Sequence, residues 1–124
     1  MPISSAHILI IHPENNTEEL SRNKLRSIFA MRTHQWSDGT PLHVFVLVDN
    51  ASTHISFCKQ VLGMFPYQLR RIWDRQVFSG TGTAPIMVNS EQEMLEKVAR
   101  TKGGIGYVLP ENINSSVKVL GQSL

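Results

Sequence analysis

HVFVLVDNASTHISFCKQVLG, residues 43–63, is the stretch on which the fold turns. His43 to Val48 are β-branched and aromatic, and the run is long enough for a central strand. The chain then passes through Asp49-Asn50-Ala51-Ser52-Thr53 into a segment carrying Phe57, Val61 and Leu62. Gly63 suits the end of that helix, because glycine accepts the left-handed backbone that closes one. A strand feeding a helix is the building unit of an α/β sheet. It sets the start of the helix at the carboxyl end of the strand.

The flanks repeat the pattern. Upstream, the apolar run Ile8 to Ile11 stops at His12-Pro13, as a buried strand does when proline removes the next donor. Ser21 can cap a helix with Leu25, Ile28 and Phe29 on one face, and Asp38-Gly39 with Pro41 marks a turn. Trp36 is expected to plug that corner. Downstream, Pro66 suits the first turn of a further helix, with Leu69, Ile72, Trp73 and Val77 as its buried stripe. Ile86-Met87-Val88 reads as a short strand. Ser90-Glu91-Gln92-Glu93 is a capping box opening a helix whose apolar face is Met94, Leu95 and Val98. Gly103-Gly104 ends it, residues 105–109 (IGYVL) form another strand, and VKVL near the C-terminus forms a last one. Alternating strands and helices predict an α/β sandwich with a partly parallel sheet.

Bulk properties narrow the function. The 124 residues suit one domain, with 41% hydrophobic content and both charge signs mixed. A net charge of +2 gives no case for a nucleic-acid partner. Arg70, Arg71 and Arg75 share a helix with Asp74 and read as a solvated face. Cys58 is the single cysteine, flanked by Phe57 and near Val61, so a buried thiol is expected and no internal disulfide. No stretch approaches the roughly 20 apolar residues of a membrane span. The segment MPISSAHILIIHPEN has no basic start and only a short apolar run, and is not read as a signal peptide.

Chemical motifs are sparse. His7 and His12 lie five apart on one strand, and His34, His43 and His54 have no partner at helical ligand spacing. No metal and no cofactor are expected. Ser79 sits in Phe-Ser-Gly, not in the Gly-x-Ser-x-Gly of a nucleophile elbow, and no enzyme is read from the chain. FSGTGTAP, residues 78–85, resembles a phosphate loop but lacks the Gly-Lys-Ser/Thr that such loops present to a nucleotide. It reads as a tight glycine connection, with lining of a cleft as its second use. Helix starts after strands hold more promise, since free N–H groups there face anions. At Ser90 the cap and Glu93 already occupy the donors. At Ser52-Thr53-His54 no acidic residue lies within the first turn, although Asp49 precedes it. Simple N-capping by Ser52 or Thr53 is the plainer reading of the same residues.

Taken in order, these segments resemble the phosphate-type substrate-binding proteins of ABC transporters, over about residues 7–109. Ile28-Phe29 and Trp36-Ser37-Asp38-Gly39 match the family's first helix end and its Trp-x-Asp-Gly turn, with Ala30 where the family has glycine. Val98-Ala99-Arg100-Thr101-Lys102-Gly103-Gly104-Ile105-Gly106-Tyr107 matches its late Val-Ala-x-Thr-x-Gly-Ala-Ile-Gly-Tyr. Members clamp their anion between two lobes, and this chain is similar to the second lobe with its entering and leaving hinge strands. Where the family places Arg-x-x-x-Ser-Gly-Thr, the chain reads Val48 through His54, keeping Ser52 but not the arginine.

The resemblance implies a single three-layer α/β lobe of the type 2 periplasmic-binding-protein kind, with a mixed central sheet. It implies a non-enzymatic module in the periplasm or secreted, binding phosphate or another small oxyanion weakly or with a partner. The partner would be an ABC transporter, another protein or a second copy. An interaction or structural domain that kept the fold without the anion site is the alternative. The ligand-binding residues expected are Asn50, Ser52, Thr53 and His54, joined by Ser79, Gly80 and Thr81. His54 is expected to strengthen anion binding once its ring is charged, below about pH 6.5.

Overall fold

The computed structural model describes residues 7–123. Six strands form one sheet in the order β2-β6-β1-β5-β3-β4. They are β1 (Ile8–Ile11), β2 (Glu19–Ser21), β3 (His43–Leu47), β4 (Ile86–Val88), β5 (Gly104–Val108) and β6 (Lys118–Ser123). β3 runs parallel to β4 and β5, and β2 parallel to β6, while β1 is antiparallel to both its neighbours. The sheet is therefore mixed, with one reversed strand at its centre. β1 and β5 are the adjacent central pair expected of the two hinge strands, with Ile8 opposite Val108.

The helices are α1 (Arg22–Phe29), α2 (Ser52–Phe57), α3 (Pro66–Ser79) and α4 (Glu91–Arg100). α2 continues into a π-helical turn, Cys58–Leu62, closed by Gly63. Local chemistry sets most of the boundaries. Ser21 Oγ accepts the Lys24 N–H at the start of α1, and Ser90 Oγ accepts the Glu93 N–H at the start of α4. The Glu93 carboxylate reaches back one residue further than a capping box requires, accepting from the Asn89 N–H.

Two faces of the sheet are covered. On one, Tyr107 stacks on Phe57 at 3.9 Å between ring centroids, and Phe29 meets Phe57 edge-on at 5.0 Å. Trp73 is fully buried on this side, and its indole N–H donates to the Phe29 carbonyl at 2.7 Å. On the other face α4 lies so close that a Cβ at Gly106 would stand 2.5 Å from Met94 Sδ. A side chain there would require Met94 to move.

The expected stripe of α3 is shorter than its sequence pattern. Leu69 and Trp73 are buried and Ile72 is partly so, but Val77 is 53% exposed. The last turn of the helix runs beyond the core cluster, so Val77 faces outward and Phe78 beside it stands in solvent. Trp36 fills its corner as expected: it is buried and its indole N–H donates to the Gly103 carbonyl at 2.9 Å.

Candidate functional site

Because β3, β4 and β5 run the same way, their carboxyl ends share one edge of the lobe. β1 runs oppositely and brings its first residues to that edge. Asp49, Asn50, Ser52, Thr53, Asn89, Ser90, Glu91 and Leu109 therefore meet there with His7. Among the described residues α2 and α4 begin at this edge after β3 and β4, and α1 begins there after β2, which shares their direction.

The start of α2 is bare. Its N-cap is Ala51, and no side chain caps it. Ser52 and Asn50 are exposed, and Thr53 is partly buried. Just before them, Asp49 accepts a bidentate pair of bonds from Arg70 of α3, both at 3.0 Å. The charge expected to repel an anion is thus largely matched by a guanidinium, which also lies 5.2 Å from the Trp73 ring centroid. Arg70 is consequently more than part of a solvated face.

Thr53 Oγ1 donates to Glu91 Oε2 at 3.0 Å. The other oxygen of that carboxylate accepts the Leu109 N–H at 2.7 Å and the Asn112 side-chain amide at 2.9 Å. Close by, His7 Nε2 and Ser56 Oγ are 2.8 Å apart, and His7 Nδ1 is buried without a partner. Burial lowers the His7 pKa, with the Glu91 charge opposing it.

His54 is not at this surface, and the expectation that its ring borders an anion is corrected. One residue beyond Thr53 the helix turns its next side chain into the core, where His54 is fully buried. Tyr107 accepts the Leu47 N–H at 2.9 Å, so its own hydroxyl hydrogen is free for His54 Nδ1 at 2.5 Å. That network assigns the remaining proton to Nε2, which faces Cys58 Sγ at 3.5 Å. Burial is the main cause of the lowered His54 pKa; Asp49 raises it and Arg70 lowers it further. Acidification below pH 6.5 therefore does not place a charged imidazole beside a ligand. Burial also raises the Tyr107 pKa and pushes the Cys58 thiol up to about 12, so the cysteine is an inert core group.

Ser79, Gly80 and Thr81 lie away from Ser52. α3 leaves Asp49 near its first turn, at Arg70, and reaches the Ala30 carbonyl through Gln76. Its 14 residues span about 21 Å. The loop that follows enters β4, whose Ile86 lies opposite Phe45, and so sits at the amino-terminal edge of the strands. Ser79 and Thr81 bond to each other at 2.8 Å, and Gly80 takes the left-handed conformation (φ 76°) that closes α3. The connecting use of FSGTGTAP is the one realised.

A family model described as the PBP superfamily domain matches residues 1–118. The chain belongs to this family. Solved structures give the same fold. An ABC-type phosphate transport receptor from Vibrio cholerae aligns with TM-score 0.75 at 16% identity, covering 95% of this chain and 46% of its own. A putative phosphate ABC transporter substrate-binding protein with bound phosphate, from Clostridium perfringens, gives 0.75 at 16%, with 95% and 45% covered. PstS from Borrelia burgdorferi gives 0.71 at 18%, with 95% and 47% covered. This PBP superfamily chain thus spans less than half the length of those neighbours and corresponds to one lobe of the type 2 fold. No curated protein matches its sequence.

Two residues of the edge escaped the sequence reading. Arg70 and Glu91 reach the start of α2 from 21 and 38 residues away. Glu91 had one usable signal, as an acidic residue in the first turn of a helix that follows a strand. That signal gives no direction for the side chain.

Proposed function

We propose that this chain acts as one lobe of a substrate-binding-protein-like module, non-enzymatic, that meets phosphate or another small oxyanion at the carboxyl-terminal strand edge. Asn50, Ser52 and Thr53 supply the contacts, with the uncapped N–H groups of the first turn of α2 aimed at the anion. The observation that carries this reading is the placement of the two central strands. His7 enters β1 and Leu109 leaves β5 side by side, at the edge where the start of α2 is left bare.

A lone lobe leaves much of an anion in water, and Val48 provides no guanidinium where the family has one. Binding by the isolated chain is therefore weak, about millimolar, or roughly −4 kcal/mol. Tighter binding requires a second lobe, a second copy or another protein to close over the edge. An ABC-transporter partner and a periplasmic or secreted location follow from the family's work and are part of the proposal.

Titrating phosphate and sulfate into the ¹⁵N-labelled chain at pH 7.5 tests it. Fast-exchange shifts centred on Asn50, Ser52 and Thr53 are expected. Shifts confined to residues 79–82, or none at several tens of millimolar (well above the roughly millimolar constant expected), would overturn it.

A further inference from the structure

We propose that Glu91 is a built-in occupant of an oxyanion receptor at this edge, an autoinhibitory carboxylate that an incoming anion must displace. The inference rests on the functional reading above and concerns what regulates that site.

Three donors from separate elements converge on the carboxylate: the Thr53 hydroxyl of α2, the Leu109 N–H just after β5, and the Asn112 amide of the following turn. All three are neutral. Among the described residues the salt bridges join Arg70 to Asp49 and Asp74, and Lys118 to Glu18; none includes Glu91. A carboxylate held by convergent neutral donors and no cation is bound as a receptor binds an oxyanion, through short charge-assisted hydrogen bonds. A glutamate at the first position of a helix needs none of this, since the positive end of its own helix already favours it. Glu91 instead reaches across to the elements that border the bare start of α2.

The carboxylate also has somewhere to go. Glu91 and Asn112 line an open depression with Gln92, Leu95 and Asn114. Rotation about the glutamate side chain into that depression would leave Thr53, Leu109 and Asn112 with free donors and remove a negative charge from the neighbourhood of Ser52. A partner offering a cation to Glu91 would produce the same opening. Weak binding by the isolated lobe then has a cause within the chain itself: the ligand competes with a tethered carboxylate that never diffuses away.

The full chain and its Glu91→Ala and Glu91→Gln variants decide the matter, titrated with sodium phosphate and sodium acetate at pH 7.5 and constant ionic strength. Amide spectra report Thr53, Leu109 and the Asn112 side chain. Glu91→Ala is expected to bind phosphate about tenfold more tightly than the native chain, and to bind acetate with shifts at those three groups. Glu91→Gln refills the donors with a neutral oxygen and is expected to gain about threefold. If Glu91→Ala does not fold, Glu91→Gln carries the test alone. Gains below about twofold in every variant that folds overturn the inference, and mark Glu91 as a structural clamp. Native binding at Asn50 and Ser52 with unchanged variants would keep the functional reading and reject this one. A gain in the variants with no native binding would do the reverse.

Discussion

The two edges of the sheet are closed by different chemistry. At the amino-terminal edge of β3 and β5 the closure centres on a buried indole and backbone hydrogen bonds, with polar side-chain bonds such as Ser79–Thr81 confined to the exposed loops around it. Trp36 is buried against Gly103, the His43 N–H donates to the same Gly103 carbonyl, and the Leu42 N–H donates to His34. At the carboxyl-terminal edge the contacts are made by charged and polar side chains: Arg70 with Asp49, His7 with Ser56, and Thr53, Leu109 and Asn112 on Glu91. Apolar closure gains free energy by removing surface from water, whereas polar side chains held at a surface gain little and can exchange partners. The first edge is therefore built to stay shut and the second to be rearranged. Substitutions should separate them: large losses of stability from the core and the closed edge, small ones from the open edge.

The largest loss is expected from Trp73→Ala. The side chain is fully buried, and its N–H satisfies the carbonyl at the end of α1, tying α3 to the closed edge. The cavity and the lost bond should cost about 3–5 kcal/mol. Denaturant unfolding measures it, and a midpoint within error of the native one would show that α3 is not anchored through this residue.

Tyr107→Phe comes next, because it sits between the two regimes. Its ring belongs to the core, stacked on Phe57, while its hydroxyl accepts from Leu47 and donates to His54 just beneath the open edge. Removing the oxygen leaves one buried donor and one buried acceptor unpaired, at about 1–3 kcal/mol each. A loss of at least about 2 kcal/mol by chemical denaturation is expected, with the sheet intact by circular dichroism. A smaller loss than at the open-edge ion pair would break the division between the edges.

What could be read from the sequence divides by distance along the chain. Helix starts, turns and core strands are written in local patterns at both edges. Ser21 and Ser90 announce their helices, Pro66 starts α3, Asp38-Gly39 makes its turn, and the β1 and β5 runs are apolar stretches. Each signal lies within a few residues of the structure it dictates. The open edge is assembled from groups that are distant in sequence, and there local reading failed in both directions. His54 looked like the third member of a polar trio but points inward, because a helix rotates about 100° per residue and the face of Phe57 and Cys58 claims it. FSGTGTAP is the tight connection that its glycines suggest; its second use, lining the cleft with Ser79, Gly80 and Thr81, fails because the length of α3 carries it to the other edge. Glu91 looked like an ordinary first-turn acid, and only the meeting of the starts of α4 and α2 with the end of β5 at this edge gives its carboxylate three distant donors.

Acid should weaken the fold, with the effect beginning beneath the open edge. His54 and His7 both have folded-state pKa values lowered, chiefly by burial. The unfolded chain therefore binds protons more readily, near pH 6.5, than the folded one. Stability from these residues is full above that pH. It is lost as the pH falls through the lower folded-state values. Unfolding midpoints at pH 7.5 and 5.5 should differ in that direction, and His54→Gln should reduce the difference. An equal slope in the variant would assign the effect away from His54.

The smallest effect on stability is expected where the largest relative effect on binding should appear, at Arg70→Gln. The Arg70–Asp49 pair is bidentate, but the two side chains remain 33% and 38% exposed. Solvent screens such a pair, so its loss should cost about 0.5–1 kcal/mol. Its removal nonetheless leaves the Asp49 carboxylate without its cation just before the start of α2, beside Asn50 and Ser52. Phosphate affinity at that edge should fall, and Asp49→Asn in the same background should restore it by removing the exposed charge. Unfolding and phosphate titration of the two variants at low salt test this, since added salt would mask the charge within about 10 Å. A large loss of stability with no change in binding would mean that Arg70 serves the closed architecture, and the ion pair would then belong with Trp73 rather than with Ser52.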